Sequence, residues 1–228
     1  MDPTVSPQDS ARPPILARLH HIPTAQGLTI PFVTLCHRGG RMPVWGALDP
    51  ENLHAVRLFA LCQVCGEPFA DRVVVMVRPA DWLLGLASEP GLHPECAHYS
   101  TLGCPVLAGR MTHYRSRPPA SRLTRCGDPQ CRCATWKPPA PDGEDELRAG
   151  KPMDAWYAVW IDREDYRIVE RPADDNGPQL VGVLLRGVPL RAIHKVRDAT
   201  ADPGKRTMLD ALADHLAVRR LTGRQQEP

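Results

Sequence analysis

Leu61-Cys62-Gln63-Val64-Cys65-Gly66, answered downstream by His93-Pro94-Glu95-Cys96, decides how this chain is read. Each stretch holds two soft ligands separated by two residues, and together they supply the donors of one tetrahedral Zn2+ site: Cys62, Cys65, His93 and Cys96. Pro94 suits the first position of a helix, so His93 and Cys96 would lie three residues apart on one helical face and converge on one ion. Gly66 allows the left-handed backbone that a turn around thiolate sulfur needs. Four protein ligands leave no position for an activated water, so the site reads as structural rather than hydrolytic. Zinc binding of about 10 kcal/mol decides whether a small domain folds, and its loss is expected to unfold residues 60–104. His98 and Cys104 compete with His93 for the fourth position.

Upstream of the first pair, Leu28 to Cys36 is β-rich, His37-Arg38-Gly39-Gly40 turns the chain, and Pro43-Val44-Trp45-Gly46 returns as a second strand. Asp49-Pro50 has the form of a helix start, and Leu53, Val56 and Ala60 share a helical face that delivers the chain into the cysteines. Between the pairs, Arg72-Val73-Val74-Val75-Met76-Val77 reads as a strand covered on both faces, with a partner expected in the 80s. Trp82, Leu83, Leu84 and Leu86 read as core. A cysteine turn, a β-hairpin and a ligand-bearing helix in that order predict a treble-clef-like zinc domain over residues 15–108.

The last third predicts a small antiparallel β-sheet unit over residues 151–228, with strands at Trp156 to Ile161, Tyr166 to Val169 and Leu180 to Leu185 forming a meander. Asp202-Pro203 signals a C-terminal helix, Met208, Leu209, Leu212 and Leu216 keep its spacing, and Gly223 stops it. The fold class is α+β. Residues 1–14 read as a flexible arm, and residues 109–150 as a basic then acidic Pro-rich linker that marks a domain boundary.

Inside that linker Cys126, Cys131 and Cys133 form a second cluster with three thiols of its own. A second Zn2+ there would need a fourth ligand, and His113 or Cys104 are nearest in sequence. Arg115, Arg117, Arg122 and Arg125 are candidates for nucleic-acid contact through phosphates, although no run of aromatic residues accompanies them for base stacking.

A net charge of +2 over 228 residues does not itself mark a nucleic-acid binder. The N-terminus lacks a basic leader before an apolar core, and no run reaches the roughly 18 apolar residues of a membrane span, so the expected setting is cytoplasmic, without membrane contact. In a reducing compartment, eight cysteines at these spacings read as ligands rather than disulfide halves. There is no GxSxG elbow, Walker loop, GxGxxG turn or HExxH helix, and His98 and His113 lack the neighbours of a nuclease base. The expected function is that of a zinc-stabilised, non-enzymatic protein binding a macromolecular partner, a protein in the first instance. The alternatives are nucleic-acid binding through the basic connector and a metal-dependent or thiol-based enzyme working through the second cluster.

Ile30-Pro31-Phe32-Val33, Leu61 to Pro68, Ser88-Glu89-Pro90, His93-Pro94-Glu95-Cys96-Ala97 and Cys104-Pro105-Val106-Leu107 follow one another over about residues 25–108. This succession resembles a group of small actinobacterial and phage proteins that carry a CxxCG…SEP…HxxCA…CP pattern. The resemblance implies zinc binding and a bacterial or phage cytosolic setting, and it says nothing of a substrate. Cys126 to Cys133 falls outside the pattern.

Overall fold

A computed structural model describes residues 12–116, 125–136, 147–172 and 179–223. Its helices and small antiparallel sheets make an α+β fold. Most of the expected arm, residues 1–11, lies outside the described residues, while Pro13 is already buried.

The chain opens with a short hairpin, β1 (Thr24–Ala25) and β2 (Leu28–Thr29), and a second one, β3 (Thr34–His37) and β4 (Met42–Leu48). The β3–β4 turn passes through Arg38, Gly39 and Gly40, all three in the left-handed region. Asp49 then caps α1 (Pro50–Phe59) by accepting the backbone N–H groups of Glu51 and Asn52 at 2.9 and 3.1 Å, as the Asp-Pro signal predicts.

β5 (Arg72–Val77) is the buried Val-rich strand, with Val73, Val74, Val75 and Val77 fully enclosed. Its partner is not in the 80s. Arg72 to Val77 pair antiparallel with Asp162 to Tyr157 of β7 (Trp156–Asp162), and β10 (Ala192–Arg197) lies on the far side of β7. On its other edge β5 exchanges two backbone hydrogen bonds with Leu92, at 2.8 and 2.9 Å. A strand buried on both faces needs apolar cover and ladder partners that the short turns of the 80s do not supply.

α2 (Pro79–Leu84) follows β5 and leads to β6 (Leu86–Ala87). Leu86 is buried, but Leu83 is 65 % exposed and Leu84 39 %, so these two are surface rather than core residues. β6, β9 (Gln179–Leu184) and β8 (Ile168–Pro172) form a separate three-stranded sheet. The expected meander is therefore divided: β7 joins β5 and β10, while β8 and β9 pair with each other. Tyr166 shows why, since its hydroxyl accepts the N–H of Gly91 at 3.0 Å and its ring packs edge-on against Phe69, turning the chain out of the β7 sheet.

Two sheets thus cross the boundary expected within residues 109–150. The edges of that segment are also drawn together, because Tyr114 N–H donates to Lys151 and Met153 N–H to Thr112. One continuous core runs from Cys62, Cys65 and Cys96 through β5 to Tyr157, Ile161, Ile193 and Leu209.

α3 (Pro94–Gly103) begins directly after His93. The last helix, α4 (Met208–Gly223), starts later than the Asp202-Pro203 signal. Thr207 and Asp210 form a reciprocal cap: Thr207 Oγ1 accepts Leu209 N–H, and Asp210 accepts Thr207 N–H at 2.7 Å. That arrangement satisfies two end donors at once, which the proline start does not. Among the described residues no helix is long and apolar enough to cross a membrane.

Candidate metal centres

The first centre is assembled from a turn and a helix start. Cys62 N–H donates to Glu67, Gly66 N–H donates to Cys62, and Leu61 bridges Pro68, so residues 61–68 close into a tight knuckle. Gly66 has φ +73°, and a Cβ there would press on the Phe32 ring, so both backbone and space call for glycine. Leu92, locked to β5, places His93 and the first turn of α3 opposite this knuckle.

The ligand atoms of Cys62, Cys65, His93 and Cys96 lie within 4.8 Å of one another, and all four residues are buried. His93 Nδ1 is 3.3 Å from Cys65 Sγ, and His93 Nε2 donates to the Pro68 carbonyl at 3.0 Å. That outer bond fixes the ring and leaves Nδ1 facing the sulfurs, the orientation of a metal-ligating imidazole. Burial pushes the Cys62 thiol up, but hydrogen bonds with Cys65, Cys96 and the Cys65 and His93 backbone outweigh it and bring it down to about 3. The Cys96 thiol is pushed far up, first by its hydrogen bonds to Cys62 and Cys65 and then by burial. Thiols this close repel one another when ionised, and a bound cation would offset that repulsion. His93 is raised, chiefly by its bond to Cys65. Soft sulfur donors crowded around a single point suit a divalent ion of the zinc type.

Cys104 and His98 stand outside this group. Cys104 caps the end of α3 through its N–H to Ser100, and His98 faces outward from the same helix.

A second group gathers Cys126, Cys131 and Cys133 with His37, again with all ligand atoms within 4.8 Å of one another. His113 is not its fourth member. It sits on the bridge to Pro152, with Nδ1 3.1 Å from Thr112 Oγ1. His37, at the end of β3, is brought to the cluster by the left-handed turn that follows it. Nothing in the sequence spacing links His37 to cysteines some ninety positions on; the only local hint was a histidine set directly before Arg38-Gly39-Gly40.

Around this group the backbone N–H of Arg38 points at Cys131 Sγ (3.4 Å), and that of Cys126 at Cys133 Sγ (3.5 Å). Cys131 Sγ is 3.8 Å from His37 Nδ1, and Cys133 Sγ is 3.7 Å from Cys126 Sγ. The Arg38 and Cys133 backbone hydrogen bonds bring the Cys131 thiol down to about 6. Trp136 stacks beside His37 with ring centroids 4.4 Å apart, and Arg132 makes a forked ion pair with Glu51.

The remaining nominated arginines divide. Arg115 is turned inward and donates to the Trp45 carbonyl at 2.9 Å, Arg125 is exposed, and Arg117 and Arg122 lie outside the described residues. The last cysteine, Cys36, keeps its proton: burial pushes its thiol up to about 11, and its sulfur donates to Thr34.

Among the described residues, two Cys3His groups have their ligand atoms at metal-binding distances. Neither the family models, nor the curated proteins, nor the solved structures searched contain a match to the chain.

Proposed function

We propose that this is a zinc-stabilised, non-enzymatic protein in which Cys62, Cys65, His93 and Cys96 hold a structural Zn2+ in a treble-clef-like arrangement, and whose surface receives a macromolecular partner. The observation that carries the reading is the burial and convergence of all four ligand atoms inside the main core. Four protein donors fill a tetrahedral ion, so the metal braces the fold and activates no water. In such a role zinc supplies a cross-link between the knuckle and α3, and the residues around it exclude water and fix the imidazole.

Partner binding draws support from exposed apolar side chains at the end of α1. Leu58 and Phe59, neighbours at the end of α1, stand 62 % and 63 % exposed. Apolar side chains at an exposed position are the usual anchors of a protein interface when they adjoin one another.

The test is elemental analysis joined to unfolding. Protein purified without added metal is expected to carry zinc that resists dialysis, and Cys62→Ser or Cys96→Ser is expected to lose it together with most of the cooperative urea transition. A fully folded, zinc-free wild-type protein would overturn the reading.

A further inference from the structure

We infer that His37, Cys126, Cys131 and Cys133 form a second zinc site, one that clasps residues 125–136 onto the β3–β4 hairpin. This goes beyond the structural ion at the first centre and does not depend on it.

Three features of the group point to a metal rather than to free thiols. The first is convergence: donors from segments far apart in sequence place four ligand atoms within 4.8 Å of one another. The second is the pair of backbone N–H groups aimed at sulfur, from Arg38 to Cys131 and from Cys126 to Cys133. Thiolates bound to zinc are partnered in this way because the N–H dipoles spread the charge of the sulfur. The third is Arg38 itself. A non-glycine residue at φ 49° holds a left-handed conformation that L side chains rarely adopt. At this strained position the Arg38 N–H and His37 Nδ1 face the same sulfur, that of Cys131.

The two centres differ in their surroundings. Cys62, Cys65 and Cys96 belong to the main core, whereas no ligand of the second centre does, and Cys126 and Cys131 are only half-buried. The second ion therefore holds a surface segment in place and is the more accessible to chelators. Arg132–Glu51 and Trp136–His37 contacts hold the same segment from its outer side.

The experiment counts metal in folded full-length protein, with circular dichroism confirming the fold of each variant. Wild type is expected to bind two equivalents of Zn2+, and cobalt substitution is expected to give two sulfur-to-metal charge-transfer contributions. Cys131→Ser and Cys133→Ser are each expected to remove one equivalent and leave the urea transition of the main core in place; His37→Ala is expected to remove or greatly weaken the same equivalent, while His113→Ala keeps both. A chelator such as pyridylazoresorcinol should take the second-site ion first. A wild-type protein whose only metal is lost in Cys62→Ser and unaffected by Cys131→Ser would overturn the proposal. The converse result, one ion lost in Cys131→Ser but retained in Cys62→Ser, would uphold it and remove the first-centre reading instead.

Discussion

Single residues show where short-range chemistry is strong enough to be read from the chain. Arg78 and Asp81 are 2 % and 1 % exposed and form a buried ion pair: Asp81 accepts both the backbone N–H and the guanidinium of Arg78, at 2.5 to 3.0 Å. The guanidinium also lies over the Trp156 ring, 5.5 Å from its centroid. Asp81→Ala would remove a carboxylate that accepts both the backbone N–H and the guanidinium of the buried Arg78, and is expected to cost about 1–3 kcal/mol, measured by urea denaturation of the zinc-loaded protein. None of this was visible beforehand, since a charged pair three residues apart is ordinarily a surface feature. The convergence of Cys62, Cys65, His93 and Cys96 was legible because each pair is local and its spacing fixes its geometry. His37 was not, because its partnership with Cys131 is made by the fold and leaves no trace in spacing.

Among the elements, α1, β3, β5 and α3 follow their local signals closely: Asp49-Pro50, the strand run before His37-Arg38-Gly39-Gly40, the Val-rich stretch, and Pro94. Strand partners do not follow from such signals. β5 takes β7 and Leu92 because its two apolar faces and two ladder edges must be satisfied by whatever the tertiary structure brings, and a run of valines does not say what that is. The start of α4 was displaced for a related reason, as the cap formed by Thr207 and Asp210 outweighs the proline signal upstream. Asp210 also accepts from the Tyr157 hydroxyl at 2.8 Å and pairs with Lys195 of β10 at 3.0 Å, so one carboxylate fastens the helix to the sheet. Burial pushes its carboxyl up, but the Thr207 N–H, Lys195 and Tyr157 outweigh that and hold it below the ordinary carboxylate range. A carboxylate lowered in the folded state adds stability that is present above about pH 4 and is lost as pH falls through its lower folded value. Asp210→Ala is therefore expected to lower stability at neutral pH by about 0.5–2 kcal/mol through the lost cap. The gap between wild type and variant should close as urea midpoints are followed from pH 6 down to pH 3; a constant gap would mean that Asp210 acts without its charge.

For the molecule as a whole, the decisive feature is that the first metal centre and the C-terminal strands share one core. The sequence suggested a metal-nucleated front and a rear joined by a linker, because composition changes sharply between residues 109 and 150. Composition reports on solvent exposure of that segment, and it carries no information about strands that pair across it. Removal of the first-centre ion is accordingly expected to deprotect amides of β7 and β10 along with residues 60–104, as read by hydrogen exchange with mass analysis. Protection that persists in β7 and β10 after chelation would show that the rear strands stand without the front.

The pairing of Arg72 with Asp162 has a consequence for the order of assembly. The central ladder cannot zip until the ribosome has delivered nearly three-quarters of the chain, and closing so wide a loop is slow. The knuckle and α3 need only residues 61–103, so the proposed ion would be captured much earlier. An ion bound by Cys62, Cys65, His93 and Cys96 would then anchor the Leu92 edge of β5 before β7 is made.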